Sequence, residues 1–289
     1  MLGEKERAKL VKLGHVPLDY PGKVASDYPD VLAILRSRCL TEDSHGLELE
    51  DRPLWWQFWC PRPELYHTIG KGSLYSQHPV WWTGDAKCDT VNVLTRVSKT
   101  LAFAEVSSKA IFADTVVVLS RSSPDVLGIL QSAIHGVFAW KYSSRMKTDL
   151  RYAPNDCYKT FPFPRCGCDV ILGASREFNV MRKQMMSDEN IGLTAFYKRY
   201  HALDSVDERI HKLRTLQCRL DNAVRDAYGW TDLDLEHGFH KVGYLPANDN
   251  VRFTISESAR IEVLKRLAKL NKERWEEEEA AGLHKKGSR

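Results

Sequence analysis

"SSPDVLGILQSAIHGVFAWKYSS" (Ser122–Ser144) runs directly into "RMKTDLRYAPNDCYKTFPFP" (Arg145–Pro164), and the reading of this 289-residue chain turns on that junction. In the first half Ser123 stands as an N-cap and Pro124 at the first helical position. Val126, Leu127, Leu130, Ile134, Val137 and Phe138 fall on one helical face. In the second half basic residues alternate with aromatics, and the stretch closes on "TFPFP". There each proline fixes its own φ and biases the preceding residue towards extended geometry. A helix therefore delivers the chain to an exposed loop that has a rigid exit.

Charge singles out the same place. The whole chain carries a formal net charge of +4. Between Lys141 and Arg165 stand six basic residues (Lys141, Arg145, Lys147, Arg151, Lys159, Arg165) and two acids (Asp149, Asp156), a surplus equal to that of the whole chain. A basic run can be a plain solvated face, so its meaning depends on its context.

Upstream, "VNVLTRVSKTLAFAEV" and "AIFADTVVVLS" are β-branched and aromatic runs that read as three or four strands. Before them "WWQFWC" packs Trp55, Trp56, Phe58 and Trp59 into five positions, as a first core layer would, and Pro63 can open a short helix through Ile69. The first 50 residues are rich in proline and charge, with one helix in "YPDVLAILRSRCL" opened by Pro29. After Pro164 come three helical segments, "ILGASREFNVMRKQMM", "DSVDERIHKLRTLQCRLDNAVRDAYGW" and "TISESARIEVLKRLAKLNKERWEEEEAAG". Ser256 caps the last of these, and an apolar face left open over Ile255 to Leu270 would be a docking surface. The expectation is an α+β protein: a lead-in segment (1–50), a mixed α/β region (51–165) and a helical C-terminal region (166–289).

Familiar catalytic signatures do not appear. The sequence contains neither G-x-G-x-x-G nor G-x-x-x-x-G-K-[ST], and no G-x-S-x-G or H-E-x-x-H. Seven scattered cysteines read as reduced thiols, and "CGC" at Cys166–Cys168 is too thin a signature for zinc. Asp85 and Lys87, with Asp30 far upstream, are a weak imitation of a nuclease site. No apolar run is long enough to span a membrane and the N-terminus is charged from Glu4, so a cytoplasmic protein without membrane contact is expected.

"WWQFWCPRPELY", "LQSAIHGVFAWKYSSRMKTDLRYAPNDCYKTFPFP", "IGLTAFYKRYHALD", "LDNAVRDAYGW" and "RFTISESARIEVLKRLAKLN" follow one another in an order that resembles a known family. It is the C-terminal half of large single-chain adenine-specific DNA methyltransferases of restriction–modification and phage-defence systems (types IIG and IIL, and related BREX enzymes). The resemblance runs from about Tyr28 to Leu283. It implies a mixed α/β target-recognition domain followed by a helical domain, with double-stranded DNA as partner. The catalytic core of that family, with its Gly-rich S-adenosylmethionine loop and Asn-Pro-Pro-aromatic motif, has no counterpart here. The resemblance therefore implies no catalytic residue, metal or cofactor in this chain, and S-adenosylmethionine bound by a separate methyltransferase core polypeptide. The tail helices are then expected to pack on the recognition region or on that separate core.

In type IIL relatives the stretch matching "SSRMKTDLRY" is a base-reading loop in which two positions, separated by one residue, vary as charged pairs. Here they are Lys147 and Asp149. A lysine can donate to guanine O6 and N7, and an aspartate can accept from cytosine N4, so the pair suits one G·C base pair. Arg145, Arg151 and Lys159 are then assigned to phosphates, which give affinity and register without sequence information. The competing readings are a plain surface ion pair between Lys147 and Asp149, a non-DNA interaction module whose final helices pair with a partner protein, and an enzyme with a cryptic site of its own.

Overall fold

The computed structural model describes residues 5, 9, 27–39, 65, 69, 90–108, 110–119, 124–165 and 169–283. The Trp55–Trp59 ring cluster, Asp85, Lys87, Ser123 and Cys166–Cys168 lie outside them, as does most of the short helix expected after Pro63. The chain forms two compact units, residues 1–89 with 108–110, and residues 90–107 with 111–289. In the first, helix α1 (Pro29–Cys39) begins at the expected proline, with the amide of Leu32 donating to the carbonyl of Tyr28.

The second unit is α+β. Its β-runs become four short strands, β1 (Thr90–Thr95), β2 (Val97–Ser98), β3 (Ala104–Ser107) and β4 (Val116–Leu119). Strand β1 lies between antiparallel β3 and β4. Its Val91 and Leu94 enter the core, and β4 alternates so that Val117 and Leu119 face inward. Strand β2 belongs to a second sheet, in the order β2-β6-β5, with β5 (Ser144–Met146) and β6 (Asp149–Arg151). Thus the region read as a loop is a β-hairpin. Its strands are too short to display an alternating pattern.

The single helix expected after Pro124 is two, α2 (Pro124–Gln131) and α3 (Ala133–Tyr142). Ser132 makes the break. Its hydroxyl donates to the Ile129 carbonyl at 2.6 Å and accepts from the His135 amide at 3.3 Å, ending one helix and capping the next. Gly128 lets α2 approach α5 (Asp169–Asp188), because a Cβ there would sit 2.7 Å from Ile171 Cγ2. Between α3 and α5 lies a single turn, α4 (Pro154–Cys157).

Beyond residue 165, α5 is followed by α6 (Leu193–Tyr200), α7 (Glu208–Ala227) and α8 (Glu257–Ala280). This part is mostly helical, as expected, and it also contains a hairpin of β7 (Gly238–Lys241) and β8 (Val251–Thr254) between α7 and α8. It is held by Arg214, a buried arginine of α7 whose guanidinium lies over the rings of Phe239 (4.7 Å) and Phe253 (5.5 Å) while donating to the carbonyls of Tyr200 and Ala202. Ser256 caps α8 as expected, accepting from the Ala259 amide. Of the two packings expected for the tail helices, on the recognition region or on a separate core, the structure shows the first. Ile255, Ala259, Val263 and Leu267 are buried in the same core as Phe138, Leu150 and Phe161, so that face is spent on intramolecular packing.

A buried polar link ties this core together. Asp221 of α7 accepts from the amide of Ala133, the first residue of α3, at 2.7 Å, and faces His237 Nε2 at 3.0 Å. Burial opposes charge on His237, but its hydrogen bonds to Asp221 and Cys218 and the Asp221 charge outweigh burial and raise it to about 10. His135 and His201, lowered to about 3 by burial, stay neutral above pH 7. The folded state therefore keeps a proton on His237 that the unfolded chain releases above its ordinary value of 6.5, and stability falls as pH rises from 7 to 9. Thermal melts of the wild type should show that fall. Asp221→Asn should flatten it and cost about 3 kcal/mol at pH 7, as breaking a buried pair does. A melting temperature equal at pH 7 and pH 9 in the wild type would contradict this account.

Candidate nucleic-acid interface

The β5–β6 hairpin is clamped at its base. Ser143, which ends α3, donates its hydroxyl to Cys157 Sγ (3.0 Å) and accepts the amide of Ala153 (3.2 Å). Cys157 in turn donates to the Ala153 carbonyl at 3.1 Å. It is a buried, free thiol whose pKa burial pushes up, so it serves as packing and not as a nucleophile. Tyr152, directly after β6, is buried and bonds His135 Nε2 at 3.1 Å, edge-on to Phe103. Its amide donates to the Arg96 carbonyl at 2.8 Å, and the Arg96 amide donates to the Thr115 carbonyl at 2.8 Å, so the backbone of one residue joins the two sheets.

The exit is equally fixed. Phe161 packs edge-on against His135 (4.7 Å), Phe138 (5.2 Å) and Phe163 (5.0 Å). Tyr228 donates to the Pro162 carbonyl and Asn271 of α8 to the Thr160 carbonyl, both at 2.9 Å. Arg165 pairs with Glu277 of α8. Hence "TFPFP" is a bolted strap, as its prolines suggested, and it is the helical region that bolts it.

Lys147 and Thr148 form the two-residue turn of the hairpin, and Met146 pairs with Asp149 to close it. Lys147 has φ +55°, a left-handed conformation in which a residue with a Cβ is strained. The register Ser144↔Arg151, Arg145↔Leu150, Met146↔Asp149 sorts the side chains onto two faces. Leu150 points into the core, and Arg145 shares its side, with its guanidinium 6.0 Å from the centre of the Trp140 ring. Asp149 and Arg151 share the opposite, outward side with Met146 and Ser144. Thus the structure brings four of the five expected residues onto one hairpin but parts Arg145 from Arg151. Lys159 stands apart, exposed on the turn after α4.

No ion pair joins Lys147 to Asp149 among the described residues, nor does Arg145, Arg151 or Lys159 pair with a described carboxylate. Asp149 accepts a hydrogen bond from the Thr148 hydroxyl at 3.4 Å. The arrangement is a rigidly based ribbon whose exposed tip offers hydrogen-bond donors and an acceptor. A two-stranded ribbon of this kind fits the width of a DNA major groove. Sequence reasoning missed the clamp residues Ser143, Tyr152 and Cys157 and the Trp140 ring under Arg145. The only signal for them was their density between the helix and the strap.

Among the described residues no group of three His, Cys, Asp or Glu side chains is placed to hold a metal, and no helix is long and apolar enough to cross a membrane.

Residues 91–165 match the family described as MmeI, target recognition domain. Among solved structures the chain is similar to the Type IIL restriction-modification enzyme MmeI in complex with DNA, at 15% identity and a TM-score of 0.46. The match covers 71% of this chain and 25% of that one, so this chain spans about a quarter of that enzyme's length. No protein with a curated description matches.

If φ at Lys147 is strained in favour of presentation, Lys147→Gly should raise stability by about 1 kcal/mol, since glycine removes the left-handed penalty. Urea unfolding of the two proteins checks this, and an equal or lower midpoint for the glycine variant would contradict it.

Proposed function

We propose that this chain is the DNA-specificity part of an adenine-specific DNA methyltransferase in a restriction–modification or phage-defence system. The region 51–165 acts as its target-recognition domain, 1–50 as a lead-in and 166–289 as the helical support. The observation that carries the reading is the clamped hairpin, whose charged tip residues form no ion pair with a described residue, inside the segment that matches a target recognition domain. An exposed lysine held at a left-handed φ is a backbone outlier of the kind that clusters at functional sites, and it supports this reading.

In this reading the tip enters the major groove of double-stranded DNA, where Lys147 donates to guanine O6 and N7 and Asp149 accepts from cytosine N4. Arg145, Arg151 and Lys159 neutralise phosphates. Their positions on two sides of the hairpin and on the turn beyond it suit the two backbones that border a groove. The Trp140 ring, 6.0 Å from the Arg145 guanidinium, restrains that side chain and so lowers the entropy lost on contact. Methyl transfer belongs to a methyltransferase core polypeptide that binds S-adenosylmethionine, and the work is done in the cytoplasm, where that DNA lies.

Changing Arg145, Arg151 or Lys159 singly to Ala should weaken binding to all duplexes alike and reduce the slope of log K against log salt by about one. Fluorescence anisotropy across a salt series reads it out, and a loss confined to one sequence would refute the phosphate assignment. Lys147→Glu combined with Asp149→Arg should change the preferred base at one position from G to C, each mismatch there costing about 1–3 kcal/mol. Selection from randomised duplexes by wild type and double variant tests it. An unchanged preference with folding intact would reject the base-reading role.

A further inference from the structure

We infer that Met146 is a specificity residue of the same hairpin, reading the 5-methyl group of a thymine in the base pair next to the one read by Lys147 and Asp149. The inference rests on the DNA-recognition reading above and extends it to a residue with no charge. Met146 is half exposed, at 50%, at the last paired position before the turn. Its partner across the ribbon is Asp149, so the two side chains leave the same face of the sheet, opposite to buried Leu150.

A methionine in that place adds nothing to the core. Leu150 fills the inward side of the hairpin, and the rings below it pack on one another through Tyr152, His135 and Phe161. Its thioether and methyl end therefore stand beside the acidic reader in water. Paired residues of an antiparallel ribbon have Cα atoms about 4.5–5.5 Å apart. Base pairs are stacked about 3.4 Å apart along each strand. The Cα separation exceeds one base-pair step, so Met146 can reach the neighbouring pair, while the longer Lys147 side chain converges with Asp149 on a single pair. Among the groups that the major groove displays, the thymine 5-methyl is the one apolar feature. A flexible, polarisable thioether can close on that methyl without leaving a donor or acceptor unsatisfied.

The test uses the full 289-residue chain and duplexes selected from a random pool. Wild type should select a thymine in the base pair adjacent to the G·C pair, Met146→Ala should lose that preference, and the G·C preference should persist in both. Replacing the selected thymine by uracil, which deletes only the methyl group, should weaken wild-type binding about fourfold, the worth of one buried methyl, and leave the Met146→Ala protein unaffected. Met146→Gln should move the preference towards adenine, whose N6 and N7 an amide can meet. Equal effects of uracil on wild type and Met146→Ala, or a selected site with G·C but without the adjacent thymine, would overturn the inference and leave the hairpin reading standing. Failure to select any duplex would overturn both.

Discussion

The backbone of Arg96 is the joint on which the presentation of the hairpin depends. Its amide is bound to Thr115 and its carbonyl to Tyr152, so the β3-β1-β4 sheet and the β2-β6-β5 sheet cannot shift relative to one another without breaking a backbone bond. Each strand of the second sheet has three residues or fewer, and such a ribbon is not stable alone. It borrows its stability from that joint, from Leu150 in the core, and from the Ser143–Cys157–Ala153 hydrogen bonds at its base. What remains free is the tip.

The helical region is the other half of this device. Helix α8 packs its Ala259, Val263 and Leu267 into the core that also holds Phe138 and Phe161, and reaches the strap through Asn271 and Glu277. Asp221 of α7 holds the first amide of α3, the helix that leads into the hairpin. A base-reading element must be held to within a fraction of an ångström, and rigid supporting elements supply that better than loops do. The strained φ of Lys147 fits the same logic, since strain persists only where its surroundings over-determine it.

Much of this was legible in the residues. Alternation in "VVVL", Pro29 and Pro124 at helix starts, the Ser256 cap and the rigidity of "TFPFP" each follow from local chemistry that the structure repeats. Other features depend on contacts distant in sequence. Ser132 looks like any polar residue on a helix until its hydroxyl finds Ile129 and His135, and "GFHK" and "VRFT" pair as strands where the distant Arg214 lies over the touching rings of Phe239 and Phe253. The face over Ile255 to Leu270 is apolar in either case. Sequence shows that it must be covered but not that α3 and the strap cover it. At the candidate site the charged residues were legible by type, whereas their sorting onto two faces required the register of β5 against β6.

The central claim is that the tip of the β5–β6 hairpin meets DNA bases. The most direct measurement places a photo-crosslinking amino acid at Thr148, which is exposed at the turn, and irradiates the full chain with a selected duplex. The account predicts attachment to a base within the selected site, and none when the same probe stands at exposed Val180 on α5. Attachment from position 180 with none from 148 would contradict it.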